Sequence, residues 1–256
     1  MAEDAWAALA DAFVDGAYAT VKGRVRTYVL HQQLLRHLPG VPATVLDVGG
    51  GAGHQSLPLA RLGYDVTVLD PSAAMLDKAR QRITAEPAAA QQRLRLVNAE
   101  GENAYQATGS ATFDAVLCHG VLMYLPTPEP LLAELCRCVS PGGLLSVMAL
   151  NAATLAVRPV LEGRWTDALQ AFDADGEIGV LGTPTRADTV EGLSQLMRQT
   201  GVTPVRWYGV WLFTDWLDLP LDTTDVAAVA EVELAASRRD PYRSMSRVFH
   251  LIGRRD

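Results

Sequence analysis

Lysine is nearly missing: Lys22 and Lys78 are the only two among 22 basic residues, which face 29 acidic ones for a formal net charge of −7. That balance does not describe a general polyanion binder, although a local arginine patch would survive it. Cysteine is scarce too. Cys118, Cys136 and Cys138 are an odd number without metal-type pairing, which reads as reduced, buried thiols of a cytoplasmic protein and not as a disulfide frame or a metal site. No run of about 18 apolar residues occurs, which argues against a membrane-spanning helix. Glu3, Asp4 and Asp11 lie near the N-terminus with no basic stretch ahead of an apolar one, unlike a secretory signal. Repeats and low-complexity linkers are missing as well. What is present, 256 residues of which 49% are hydrophobic, suffices for one α/β core.

The strongest local pattern runs Val45-Leu46-Asp47-Val48-Gly49-Gly50-Gly51-Ala52-Gly53, followed by Val66-Thr67-Val68-Leu69-Asp70. A short apolar strand, a DxGxGxG turn, a helical pattern and a second strand ending in an acid make a βαβ unit with a backbone-lined crevice beside a carboxylate. Glycines let the chain turn sharply and approach a ligand without Cβ clashes, and Asp70 is placed to accept hydrogen bonds from ribose hydroxyls. A dinucleotide site wants GxGxxG, but His54 stands where the third glycine belongs. That argues against a nicotinamide cofactor. The GxGxG spacing, with Asp70-Pro71-Ser72-Ala73-Ala74-Met75-Leu76-Asp77-Lys78-Ala79-Arg80 after it, resembles class I S-adenosylmethionine (SAM) methyltransferases.

Periodicity lays out the rest. Helices are expected over 3–19 (Trp6, Leu9, Ala10, Phe13, Val14 and Ala17 at helical spacing) and 25–38. Strands follow at 43–48, 65–70, 93–98, 113–119 and 144–150, with helices over 54–62, 72–86 and 128–139. Beyond them come a helical stretch over 152–170, a loop over 173–187, a helix over 188–200, a strand over 203–213, a helix over 224–239 and a last strand over 245–253. Alternating strands and helices predict a parallel sheet with helices on both faces. The expected fold is a Rossmann-like class I methyltransferase: seven strands, mostly parallel, the last antiparallel. Residues 1–256 read as one domain, with N-terminal helices over 1–40 and acceptor-side insertions at 151–187 and 214–240, where variable loops set substrate choice.

Several segments line up with one family. Thr20-Val21-Lys22-Gly23-Arg24-Val25-Arg26, the glycine turn, Cys118-His119-Gly120-Val121-Leu122, Pro141-Gly142-Gly143-Leu144-Leu145-Ser146-Val147-Met148, Asn151, Glu162-Gly163-Arg164-Trp165, Pro241-Tyr242 and Ser246-Arg247-Val248-Phe249-His250 are similar to landmarks of bacterial tRNA 5-carboxymethoxyuridine methyltransferases. The resemblance implies that Arg26 meets the methionine carboxylate of SAM, as a bidentate guanidinium can. It further implies that Gly49, Gly50 and Gly51 pass beneath the methionine part, that Asp70 holds the ribose, that Glu100 and Gly101 contact adenine (with Glu102 as a neighbouring choice), and that His119 positions the cofactor. Tyr124, Asn151, Trp165 and Arg247 are the acceptor-side candidates. The product would be S-adenosylhomocysteine.

Methyl transfer from a sulfonium is an in-line displacement to which a protein contributes mainly positioning, worth ~7–11 kcal/mol in well-oriented systems. A carboxylate, the acceptor in the resembled family, needs no general base; a phenol, amine or alcohol would want one. The chain offers none beyond a weak candidate in His119, since His250 lies in the last strand and His31 and His37 on an early helix. The sequence also departs from that family. Its lysine-rich insertion is here acidic, with Asp173, Asp175 and Glu177, which disfavours tRNA; Arg238, Arg239, Arg243, Arg247, Arg254 and Arg255 remain as either an RNA edge or solvated charge. The expected activity is transfer of a methyl group to an oxygen or nitrogen of a small organic acceptor, with a carboxylate favoured. Carboxyl methylation of wobble 5-carboxymethoxyuridine in tRNA is the alternative.

Overall fold

The computed structural model describes residues 16, 18–179 and 182–256; the helix expected over 3–19 lies almost entirely outside them. Helix α1 (Val21–Leu35) starts a turn ahead of the expected position because Thr20 caps it, its hydroxyl accepting from Gly23 N at 3.0 Å, the arrangement that satisfies an orphan N–H at a helix start. It ends before His37, which sits in the following turn. Then come β1 (Thr44–Val48), α2 (Ser56–Arg61), β2 (Asp65–Asp70), α3 (Ala73–Thr84), a short α4 (Ala88–Gln91), β3 (Leu94–Asn98), a short α5 (Ala104–Ala107), β4 (Phe113–His119), α6 (Glu129–Cys138) and β5 (Val139–Leu150). Strand β5 counts from Val139 because Phe113 pairs with Val139 before the register skips to Ala115–Leu144. The Pro141-Gly142-Gly143 segment is thus taken up as an irregularity inside the strand.

Seven strands form one sheet in the order β3-β2-β1-β4-β5-β9-β8, where β8 is Val202–Val210 and β9 is Val248–Arg255. The β1–β2, β1–β4, β2–β3 and β4–β5 pairs are parallel, and β9 runs antiparallel to both β5 and β8. Side chains alternate between two helical layers. Leu46, Val48, Val116 and Cys118 join Leu131, Leu132 and Leu135 of α6 on one face, while Val45, Ala115 and Leu117 meet Leu34, Leu59 and Leu76 on the other. A sheet covered on both faces reads as near-continuous apolar runs, and β1 and β4 do. All three cysteines are free and buried, and burial raises each thiol's pKa.

Differences from the expected elements collect after β5. The helical stretch over 152–170 splits into α7 (Val157–Leu161) and α8 (Trp165–Ala171) around Gly163, which takes φ +71°. Where a loop was expected, β6 (Gly176–Ile178) and β7 (Pro184–Arg186) pair antiparallel; a Cβ at Gly176 would lie 2.4 Å from Thr185 O, so that close pairing needs glycine. Helix α9 (Val190–Gln199) starts after its cap Thr189, and α10 (Val226–Ala236) after Asp225, whose carboxylate accepts from Ala227 N and Ala228 N. Strand β8 stops at Val210 because Trp211 turns to φ +58°. Residues 242–245 form a 3-10 turn, which delays β9 to Val248. Among the described residues no helix is long and apolar enough to cross a membrane.

Leu117 is fully buried at the sheet's centre and Leu62 is 49% exposed. Leu117→Ala should cost about 2–5 kcal/mol in urea unfolding, whereas Leu62→Ala should stay within about 0.5 kcal/mol. Equal losses would contradict the described core.

Candidate active site

The strand order reverses between β1 and β4, and in open α/β sheets that switch point leaves a crevice at the strands' carboxyl ends. The glycine turn occupies it. Gly49 N and Gly50 N both donate to Leu69 O, at 2.7 and 3.3 Å, tying the turn to β2. Gly49 adopts φ +68°, and a Cβ there would stand 2.3 Å from Val121 Cγ2; one on Gly50 would meet Val68 and the Asp47 carboxyl within 3 Å. Buried Asp70 clamps the next step: Oδ2 accepts from Gly51 N and Oδ1 from Ser72 N, both at 2.9 Å. A carboxylate oxygen can accept more than one hydrogen bond, so this clamp is compatible with hydroxyl donors from a ligand. Below the turn Asp47 is buried and accepts from Ser56 Oγ at 2.6 Å. Desolvation outweighs that bond and pushes its pKa up to about 6.

Opposite this acidic floor stands Arg26 of α1, 7% exposed. Its Nη1 donates to the Tyr18 hydroxyl at 3.2 Å, and its guanidinium faces the Tyr18 and Trp211 rings at 5.3 and 5.8 Å. Nη2 lies 3.6 Å from where a Gly120 Cβ would be. Among the described residues Arg26 forms no ion pair, and a buried guanidinium in that state favours an anionic partner. Tyr18 stacks on His54, with ring centroids 3.7 Å apart and an interplanar angle of 9°. Burial, and then the charges of Arg82 and Arg26, push His54 down to about 3. Tyr124, on a 3-10 turn after β4, is half-buried; desolvation raises its phenol pKa.

His119 closes β4 and belongs to a buried polar chain. Gln33 Nε2 donates to Gly209 O at 3.0 Å, Gln33 Oε1 meets His250 Nδ1 at 2.9 Å, His250 Nε2 meets Ser146 Oγ at 2.7 Å, and Ser146 Oγ meets His119 Nε2 at 2.8 Å. A carbonyl only accepts, so the directions follow in turn. His250 Nδ1–H donates to Gln33, Ser146 Oγ–H donates to His250 Nε2, and His119 Nε2–H donates to Ser146. His119 Nδ1 is then a lone pair, buried and without a partner among the described residues. Burial pushes His250 down to about 3 and His119 well below its ordinary value, so both rings stay neutral near pH 7.

Arg26, the glycine turn, Asp70, His119 and Tyr124 therefore gather at the ends of β1, β2 and β4. Glu100 and Glu102 are both exposed around Gly101 after β3, and a Cβ on Gly101 would strike Leu131 at 2.8 Å. The Asn151 amide is committed to the backbone, donating to Ser246 O at 2.9 Å and accepting from Ala153 N at 3.1 Å. Trp165 is 66% exposed at the start of α8. Arg247 is buried among ion partners on the insertions. No spacing in the sequence marks Tyr18, Gln33 or Ser146, and His250 reads only as part of the last strand. A polar residue on a mostly apolar helix face, as Gln33 is, is the available signal. Arg243, Arg254 and Arg255 are engaged by backbone carbonyls and, for Arg243, by Asp240. Among the described residues no cluster of His, Cys, Asp and Glu is arranged to hold a metal ion.

Residues 46–147 match the family model of the methyltransferase domain, and that span runs from the glycine-turn strand to β5. With this sheet order, the chain has the class I methyltransferase fold, and residues 46–147 form its methyltransferase domain. It is 28% identical to the tRNA 5-carboxymethoxyuridine methyltransferase of Escherichia coli (strain K12) over 251 residues, 96% of this chain and 94% of that protein. Over 109 residues it is 36% identical to the ubiquinone biosynthesis O-methyltransferase of Xanthomonas oryzae pv. oryzae, covering 43% of this chain and 44% of that one. A SAM-dependent methyltransferase from Thermotoga maritima, described as a possible histamine N-methyltransferase, superposes with a TM-score of 0.62 at 16% identity, covering 98% of both chains.

The neutral relay makes stability depend on pH. His250 takes up a proton near 6.5 when unfolded and only near 3 when folded, so unfolding binds a proton in that window. The stabilisation is complete above 6.5 and is lost as pH falls, with a slope of about 1.4 kcal/mol per pH unit. His250→Gln should flatten the decline between pH 6.5 and about pH 5 by about that slope in urea titrations. An unchanged slope would mean that folded His250 already carries its proton.

Proposed function

We propose that this enzyme transfers the methyl group of SAM to an oxygen, preferably a carboxylate oxygen, of a small organic acid. The observation that carries the cofactor side is Arg26: buried, unpaired by any described carboxylate, and set beside the glycine turn and Asp70. In this reading Arg26 takes the methionine carboxylate, Gly49, Gly50 and Gly51 leave room for the methionine chain, Asp70 takes the ribose hydroxyls, and Glu100 or Glu102 with Gly101 borders the adenine. SAM supplies a sulfonium-activated methyl group; the new C–O bond forms as the C–S bond breaks, its electron pair goes to sulfur, and S-adenosylhomocysteine leaves.

The chain's own groups fit an acceptor that is already ionised. His119 is held neutral, and its Nδ1 lone pair is a hydrogen-bond acceptor at the cofactor side of β4, suited to positioning. A carboxylate anion requires no proton removal. The segments 151–187 and 214–240 act as acceptor-side insertions on a single SAM-binding unit, and Tyr124 and Trp165 contribute apolar surface there. Three buried, free thiols suit the reducing cytoplasm. The second reading, carboxyl methylation of 5-carboxymethoxyuridine in tRNA, draws on similarity over 96% of the chain to the E. coli enzyme. Against it stand the acidic balance and the internal use of Arg243, Arg254 and Arg255.

Calorimetry with SAM, together with transfer of a labelled methyl group to a panel of carboxylic acids and to bulk tRNA, separates the readings. Arg26→Met should weaken SAM binding by about 10–100-fold, the worth of a charge-assisted hydrogen bond. Gly49→Ala should weaken it as well, and Gly40→Ala, where a Cβ meets nothing within 4 Å, should not. Labelled methyl esters of acids, with no tRNA labelling, are the expected products. Labelling of tRNA with affinity that falls steeply as salt rises would establish the second reading instead.

A further inference from the structure

The insertions meet α1 in a charge cluster that lies outside the cofactor crevice. Asp215, just beyond β8, has a fully buried side chain and pairs with Lys22, with Arg158 of α7 at 2.7 Å and with Arg247 Nε at 3.7 Å. Arg247, its side chain 5% exposed, also pairs with Glu177 of β6. Three cations thus face two carboxylates, a formal surplus of one positive charge. The surplus has a specific outlet: among the described residues, Arg247 Nη1 is buried without a hydrogen-bond acceptor, and so are the donors on either side of Asp215, Thr214 Oγ1 and Trp216 Nε1. Buried donors without partners are rare in folded proteins, and an unpaired guanidinium nitrogen is the costliest kind.

The cluster is built. Glu233 of α10 accepts from Leu212 N, Phe213 N and Thr214 N, each at 2.8 Å, which fixes the segment that carries Asp215. It also adjoins the cofactor side. Lys22 and Arg26 are one turn apart on α1, the spacing that puts side chains on one face, and both lie over the Trp211 ring, Lys22 at 4.4 Å. The Trp211 indole donates to Lys22 O at 3.0 Å. Burial and the charges of Arg158 and Arg247 lower the pKa of Lys22, against the pull of Asp215, as expected for an ammonium short of negative charge.

We infer that this cluster is a carboxylate-binding subsite for the methyl acceptor, with Arg247 Nη1 as its principal donor and Lys22 and Arg158 supplying the compensating charge. The assignment deepens the small-acid reading above and rests on it. One oxygen of the acid is held here and the other faces the methyl donor, so a neutral analogue of the same shape loses its anchor.

The test uses the whole chain, labelled with nitrogen-15, titrated with sodium acetate and separately with acetamide at matched ionic strength. The Trp216 indole N–H and Arg247 Nε–H signals should shift saturably with acetate and stay still with acetamide. Arg247→Met should weaken the acetate response by about 10–100-fold. Arg158→Gln, which changes a more exposed partner, should weaken it less and guards against a folding failure of the first variant. Signals that ignore acetate, or move alike with acetate and acetamide, overturn the subsite. Methylation is read separately. Acids that are methylated with a KM unaffected by Arg247→Met would sink the subsite and leave the small-acid reading standing. An acetate-responsive cluster in an enzyme that methylates only neutral acceptors would sink both, because the anion held there would not be the acceptor.

Discussion

The architecture at the strand ends depends on the Asp70 carboxylate, which holds two backbone N–H groups that would otherwise have no common partner. Gly51 N belongs to the turn after β1 and Ser72 N to the entry of α3. One side chain thus fixes the distance between the first and second βα connections and closes the turn around whatever lies on it. The glycines are the other half of the same constraint. Asp70 can draw Gly51 in only because Gly49 leaves the left-handed turn free of a Cβ that would strike Val121. A carboxylate that bridges two amides is already organised before a ligand's hydroxyls arrive, and preorganisation lowers the ordering cost of binding.

A second constraint runs through the protein's interior. The chain Gly209 O–Gln33–His250–Ser146–His119 starts at β8, passes through α1 and β9 to β5, and ends at β4. It works only while both imidazoles are neutral, since a protonated His250 would present a second donor to a site whose direction is already set. Burial enforces neutrality, and the anchoring carbonyl enforces direction. Asp47 shows the same physics with the opposite sign: burial favours its neutral form, and the Ser56 hydroxyl offsets this only in part. The site therefore keeps its relay neutral, and burial pushes Asp47 up to about 6. Arg26 forms no ion pair among the described residues there, so an anion entering the crevice meets one cation at short range in a low-dielectric setting.

Much of this was legible in the sequence, and the parts that were not share a cause. Strands β2 and β4 fall on the expected residues because a doubly covered strand is a short apolar run between turn signals, and its ends are set locally. The glycine turn and Asp70 were readable for the same reason. Helix α1 was misplaced by a turn because its start is set by a single hydroxyl, that of Thr20, and not by the apolar pattern. The β6–β7 pair was missed because its strands are only three residues each and carry no alternation. Gln33, Ser146 and His250 come from 33, 146 and 250, and no spacing rule joins residues separated by 104 and 217 positions. Their roles exist only once β9 lies beside β5.

The charge of the insertion shows the limit most sharply. Read along the chain, Asp173, Asp175 and Glu177 make an acidic stretch that speaks against a polyanion such as tRNA. In the fold, Glu177 is drawn into Arg247, and Asp215 neutralises part of three cations supplied by α1, α7 and the approach to β9. The local balance is positive although the chain's net charge is −7. Net charge governs long-range attraction and its screening, whereas a single carboxylate is recognised by the two or three donors it touches. A phosphate backbone needs many exposed cations, and here Arg243, Arg254 and Arg255 are bound to the protein's own carbonyls. An acidic protein can therefore be a poor surface for RNA and still hold one small anion well, provided its few cations are buried together and left one negative charge short.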